Sequence, residues 1–245
     1  MLTNTSNLSK NRKKELLDFQ RNVGIKFSDL TLLNYAFIHR SVSNEVVGAV
    51  LSGGLRLNNE RMEFLGDAVL GVVTATLLYN NLPDKPEGDL AKIKAVVVSE
   101  DMLSRIALQL QIDHLLILGK GEELSGGRAK KALLADAMEA LIGALYLDAG
   151  FKSAYKFVSK LIEPEIEKVV EKRSFQDYKS LLQELCQKKF RKYPVYNLLK
   201  KTGPEHERFF WIEVSVENKT YGPGMGRNKK NAEQEAAKIA LEALS

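Results

Sequence analysis

Asn59 to Asp67 reads NERMEFLGD, and the interpretation of the whole chain turns on this stretch. Glu60, Glu63 and Asp67 stand at offsets of zero, three and seven. At about 3.6 residues per turn, such offsets share one face of a helix. Met62, Phe64, Leu65, Ala68, Val69 and Leu70 surround them, so the helix carries an acidic seam on an apolar body. Ionised carboxylates bordering an apolar core are costly unless they are paired or hold a cation. A solvated helix start, where acids favour the dipole, has an equal claim on this stretch alone.

Leu133 to Asp148, LLADAMEALIGALYLD, shifts the balance. It is apolar for most of its length, and Asp136 and Glu139 are three apart on one face. No basic residue lies between Ala132 and Gly150; Lys130 and Lys131 just upstream offer the alternative of a structural ion pair with Asp136. Two apolar helices, each with an acidic pair at turn spacing, suit a hard cation, and oxygen-only ligands suit magnesium or manganese.

NERMEFLGDAVL resembles the signature of ribonuclease III, the double-strand-specific endoribonuclease. The resemblance continues through EGDLAKIKAVVVSE (Glu87 to Glu100), LGKGEELSGGR (Leu118 to Arg128) and LADAMEALIGALYLDAG (Leu134 to Gly150), in the family's order and spacing. It implies that Glu63, Asp67, Asp136 and Glu139 are metal ligands, with Asp67 and Glu139 the most costly to lose. Glu60 matches an outer carboxylate that orients water or contacts the partner subunit and RNA. The implied reaction is metal-assisted hydrolysis of both strands of an RNA duplex. It leaves 5′-phosphate and 3′-hydroxyl ends with a two-nucleotide 3′ overhang, and serves the processing of ribosomal precursors and other structured transcripts. Cutting both strands needs two such centres; one set of motifs without an internal repeat then implies a homodimer. Phe64 matches the aromatic that inserts into a socket on the partner, a core position being its other reading. A non-catalytic duplex-RNA binder on the same fold is the competing expectation, and the filled acidic positions count against it.

The 245 residues, 44% of them apolar, suffice for one large or two smaller domains with a proper core. Cys186 is the sole cysteine, which excludes an internal disulfide and a cysteine-based zinc cluster and fits a reducing compartment. No signal-peptide core and no 18-residue apolar run occurs, so a cytoplasmic protein with no membrane partner is expected. No Walker spacing is present either, so neither a nucleotide nor an organic cofactor is expected. The formal net charge is +5. Residues 175–245 carry 13 Lys+Arg against 9 Asp+Glu, so most of the positive excess sits at the C-terminal end, as suits a polyanion partner.

Taken in order, periodicity predicts helices over Arg12–Val23 and Leu30–Ser41, a loop over Ser43–Asn58, and the signature helix from about Asn59 to Tyr79. One or two helices follow over Leu90–Leu110, then a glycine-rich loop over Leu118–Arg128, and helices over Leu133–Leu147 and Ser153 to about Lys172. In the second of these, Leu30–Ser41, His39 either touches substrate or braces the signature helix. Residues 1–173 thus read as all-α, and the charged stretch EKRSFQD (Glu171 to Asp177) marks a boundary.

Residues 174–245 change pattern: an amphipathic helix from Asp177 to Lys189, three strands (PVYNLLKKTG, FFWIEVSVEN, KTYGPGMG) and a closing helix with Ala232, Ala236, Ala237, Ala240 and Leu244 on one face. This α-β-β-β-α order resembles the double-stranded RNA-binding domain. The expected fold is therefore multi-domain: an all-α ribonuclease III endonuclease domain followed by a small α+β domain that binds duplex RNA. Lys229 and Lys230 begin the last helix, where their charges and the dipole can face one phosphate run. By resemblance, Gly203, Pro204 and His206 enter one minor groove, and Ser180, Gln183 and Glu184 meet another. Such domains span roughly 16 base pairs and read shape rather than sequence.

Overall fold

Ser9 opens the first helix and glycine closes it. In the computed structural model, which describes residues 8–45, 58–174, 178–204 and 208–244, α1 (Lys10–Val23) begins where the Ser9 hydroxyl accepts from the Arg12 amide and ends at Gly24, φ 77°. That left-handed conformation costs a glycine nothing. Helix α2 (Leu30–Ala36) starts at Asp29, whose carboxylate caps the Thr31 amide. The Ser28 and Asp29 amides donate to Asp148 at 2.7 and 2.8 Å, tying this corner to the far end of the sequence-distant acidic helix.

A single helix over Leu30–Ser41 does not form. The chain leaves helical geometry at Phe37, and Ile38 forms a parallel bridge with Ile117 before α3 (Arg40–Glu45) begins. The Ile117 amide donates to Phe37 (2.8 Å) and the His39 amide to Ile117 (3.0 Å). These long-range bonds override the local helical pattern. Of the expected Ser43–Asn58 loop, Ser43–Glu45 completes α3 and residues 46–57 lie outside the described residues.

The signature helix is α4 (Glu60–Asn81). It is followed by α5 (Glu87–Val97) and α6 (Glu100–Gln109), separated at Ser99, whose hydroxyl caps the Met102 amide, and then by the short α7 (Ile112–Leu115). Leu118–Arg128 is not simply a loop: it holds α8 (Lys120–Leu124) and a 3₁₀ turn over Gly127–Ala129. The last helix of this region, α9 (Lys131–Ser174), kinks at Gly150 (φ 76°, ψ 174°), at the junction expected between two helices. By length and composition α4 could cross a membrane. Its buried residues Met62, Val69, Leu70, Val73 and Leu77, however, recur at core-helix spacing. Leu134, Met138, Leu141 and Leu145 of α9 are fully buried at the same spacing.

The chain divides into two compact units at Glu167/Lys168, within the later part of α9. In the second unit, α10 (Tyr178–Phe190) precedes β1 (Val195–Thr202), β2 (Phe209–Val216) and β3 (Lys219–Gly226), an antiparallel sheet of order β1-β2-β3; α11 (Lys229–Leu244) closes it. Ile212, Val214 and Val216 alternate inward from β2, as period-two burial requires. They pack with Leu182, Cys186, Ala232, Ala236, Ala237 and Ala240. Gly224 and Gly226 let α11 lie directly on β3, because a Cβ at either would collide with the α11 backbone at Ala236 or Ala232.

Candidate active site

Two glycines build the acidic centre. A Cβ placed on Gly66 of α4 would fall on the Glu139 carbonyl of α9, and one on Gly143 of α9 would fall on the Met62 carbonyl of α4. The two backbones are therefore in direct contact at this crossing, which only glycine permits. Glu63 lies one turn before Gly66 and Asp67 directly after it; Glu139 lies one turn before Gly143, and Asp136 one turn before that. The crossing thus brings both predicted acidic pairs to one place.

Electrostatics record the proximity. Glu139 is pushed up to about 7, first by burial and then by the charges of Asp67, Glu63 and Asp136. Glu63 is raised above the usual carboxylate range by burial, then by Asp136 and Glu60. Burial raises Asp136 as well, followed by the charge of Glu100. Arg40 is the cation that opposes the shift at both Glu63 and Asp136, and its guanidinium stands 3.5 Å from Glu60. Lys130 and Lys131 do not pair with Asp136: they bind Glu122 and Asp101 instead. The negative charge is thus held close and incompletely compensated.

Glu60 sits exposed at the rim. Asn58 holds it from two sides, its amide donating to the carboxylate (2.8 Å) and its carbonyl accepting from the Glu60 amide (3.3 Å). Asn59, the residue before α4, makes no capping bond; its side chain donates to the Ala36 carbonyl and its amide to Ile38. Phe64 is 80% exposed on α4, so its reading as a core residue is wrong in this chain: the crossing buries the other side of the helix.

Sequence reasoning gave neither Arg40 nor Glu100 a role at the centre. Both lay inside stretches it quoted, but each reaches the centre only through tertiary structure. Among the described residues, no group of three or more His, Cys, Asp or Glu side chains is already arranged to hold a metal ion. What fits a divalent cation is the donor chemistry: four oxygen-bearing acids on two helices in backbone contact, each pair unfavourable by itself.

In the second unit, Ser180, Gln183 and Glu184 are exposed on α10, and Lys229 and Lys230 are exposed at the start of α11. Asn228 caps α11 by accepting from the Asn231 amide (2.8 Å), leaving the lysines on the first turn. The Lys179 amide donates to Gln234 (3.0 Å) and its ammonium pairs with Glu233 (2.6 Å), so the start of α10, with Ser180, is fastened to α11. Gly203 (φ 89°) and Pro204 are exposed beyond β1; His206 lies outside the described residues.

Comparison with known proteins follows the same division. Residues 29–166 match the family described as Ribonuclease-III-like, and residues 178–244 match the double-stranded RNA binding motif. Ribonuclease 3 of Treponema denticola is 57% identical over 239 residues, covering 98% of this chain and 95% of that protein. Ribonuclease 3 of Treponema pallidum is 54% identical over 240 residues, covering 98% and 93%. A solved nuclease domain of ribonuclease III from Campylobacter jejuni, described for structural flexibility in a region involved in dimer formation, superposes with a TM-score of 0.53 at 36% identity. It covers 60% of this chain and 95% of that one.

Proposed function

The chain belongs to the ribonuclease III family, and from that premise we propose that it cuts both strands of duplex RNA at the carboxylate centre where α4 crosses α9. It is a double-strand-specific endoribonuclease with a C-terminal module of the kind that holds duplex RNA. The observation that carries the assignment of the centre is the reciprocal contact of Gly66 and Gly143, which gathers four acids and holds Glu139 near neutrality.

Glu63, Asp67, Asp136 and Glu139 would hold divalent ions of the magnesium type, with manganese as a substitute. Bound there, such ions supply charge stabilisation for an in-line phosphodiester displacement and lower the pKa of a coordinated water. The remaining work belongs to the protein. Glu139, pushed up to about 7 by burial and its neighbouring carboxylates, would give up its proton to a cation bound at the centre. Glu60, fixed by Asn58, is placed to orient a water at the rim. Lys229 and Lys230 bear on phosphates through charge and helix dipole, which fixes the duplex without reading its sequence.

Cleavage of both strands requires two centres, and the exposed Phe64, one residue from Glu63, offers an apolar anchor for a second copy. We therefore assign a homodimer. It releases 5′-phosphate and 3′-hydroxyl ends with a short 3′ overhang and acts in the cytoplasm on ribosomal precursors and other structured transcripts. Incubating the protein with a long RNA duplex and magnesium, then mapping ends on both strands, tests this. Staggered magnesium-dependent cuts are expected. A duplex that is bound but never nicked at any magnesium concentration would leave only a binding protein.

A further inference from the structure

The segment from Ala36 to Ser41 is gripped along two edges. On one, the parallel bridge joins it to Ile117, and the Gly119 amide donates to the Ser41 hydroxyl at 2.8 Å. On the other, the Asn59 amide donates to Ile38 (2.8 Å) and the Asn59 side chain to Ala36 (3.3 Å). Asn59 is only 3% exposed and spends its amide group here rather than on capping α4. The place where α4 begins, and with it the first turn bearing Glu60 and Glu63, is therefore set by the path of residues 36–41.

His39 closes this arrangement. The residue is 9% exposed. Nδ1 lies 2.9 Å from the Ser41 hydroxyl and 3.3 Å from the Ser41 amide, which can only donate. Nδ1 is therefore the acceptor, and the neutral imidazole carries its proton on Nε2. The Ser41 hydroxyl takes the Gly119 N–H and gives its own proton to Nδ1, so one oxygen links the imidazole to the segment leading into α8. Every member of the chain Gly119–Ser41–His39 has a defined donor or acceptor role, and none touches the four acids.

We propose that His39 and Ser41 are positioning residues for the reaction: an unprotonated Nδ1 and one hydroxyl lock the strand-like segment that fixes where α4, and so Glu60 and Glu63, stands. The proposal rests on the nuclease reading above, and it assigns the imidazole a task inside the fold rather than on the RNA.

The test uses the full chain and two matched pairs. His39→Asn keeps an acceptor close to the position of Nδ1, whereas His39→Gln moves it outward; Ser41→Thr keeps the hydroxyl and Ser41→Ala removes it. Misplacement of catalytic groups by about 1 Å costs on the order of 10²-fold in rate. Ser41→Ala and His39→Gln should therefore lower kcat by about 10- to 100-fold with KM little changed, while Ser41→Thr and His39→Asn recover most of the loss. Equal losses in His39→Asn and His39→Gln, or a rise in KM at constant kcat, would overturn the proposal. Amide exchange in the same proteins reads the clasp without turnover: faster exchange at Gly119 and Asn59 in Ser41→Ala and His39→Gln supports it, and unchanged exchange overturns it. Nitrogen-15 shifts of His39 in the parent protein decide the case even if a variant fails to fold. An Nε2-protonated neutral ring is expected, and a proton on Nδ1 would contradict the assignment. A parent protein that never cleaves duplex RNA would strike the nuclease reading, while these exchange and nitrogen measurements would still judge the clasp.

Discussion

The α4–α9 crossing and the start of α11 use charge in opposite ways. At the crossing, four acids are drawn together by backbone contact; Glu63, Asp136 and Glu139 are half-buried, and burial together with neighbouring carboxylates makes these three harder to ionise. At α11, Lys229 and Lys230 stand in solvent on the first turn of a helix, where their charges are screened and interchangeable. A crowded, half-buried like-charged cluster is sensitive to the loss of any member; an exposed basic edge loses affinity in small steps. On the proposed reading the contrast separates chemistry from holding: the first unit would need ångström placement, the second only shape and charge.

The sharpest way to break this contrast is at Asp67. Asp67→Asn should lower duplex cleavage on the order of 10³-fold, several kcal/mol of transition-state stabilisation, while the affinity for duplex RNA in a filter-binding assay stays within a few-fold. Loss of both together would merge the two roles.

Next in size is the crossing itself. Gly66→Ala places a methyl against the Glu139 carbonyl, so the helices must separate. Overpacking of this kind costs about 1–3 kcal/mol or more, visible as a lower midpoint in urea, with cleavage falling alongside. An unchanged midpoint with full activity would show that the close approach is dispensable.

In the second unit the expected effects are smaller. Replacing Lys229 and Lys230 by glutamine should weaken all duplexes alike, by about tenfold, and flatten the plot of log affinity against log salt by roughly 2. A changed preference among sequences would instead indicate base contacts.

The mildest signature is a pH dependence of stability without divalent ions. Glu139 holds its proton more readily folded than unfolded, so folding binds a proton between its ordinary value of 4.5 and about 7. Stability should fall as pH rises through that window and level off above it. Glu139→Gln should flatten this part of the melting-temperature profile; the same slope in the variant would place the titration elsewhere.

Much of this was legible in the residues. The offsets of Glu60, Glu63 and Asp67, and of Asp136 and Glu139, give their helix faces directly, and alternation gives β2. What escaped depends on distant partners. The break at Phe37–His39 is made by Ile117, not by any local breaker. The short α8 within the glycine-rich stretch is propped by Lys130 on Glu122 and Arg128 on Glu123. Lys130 and Lys131, which sequence proximity offered to Asp136, found other acids closer in space. Gly66 and Gly143 stood in plain view. A glycine within an apolar helix signals a close approach, but nothing in the sequence says that these two approach each other.

The central claim, that the acids at the crossing hold a divalent cation, is tested most directly by calorimetric titration of manganese into the parent protein and Glu139→Gln near pH 7, in two buffers of different ionisation heat. The parent should bind the ion and release protons as Glu139 ionises, whereas the variant should bind more weakly and release fewer. Equal affinity and equal proton release in the two proteins would contradict the account.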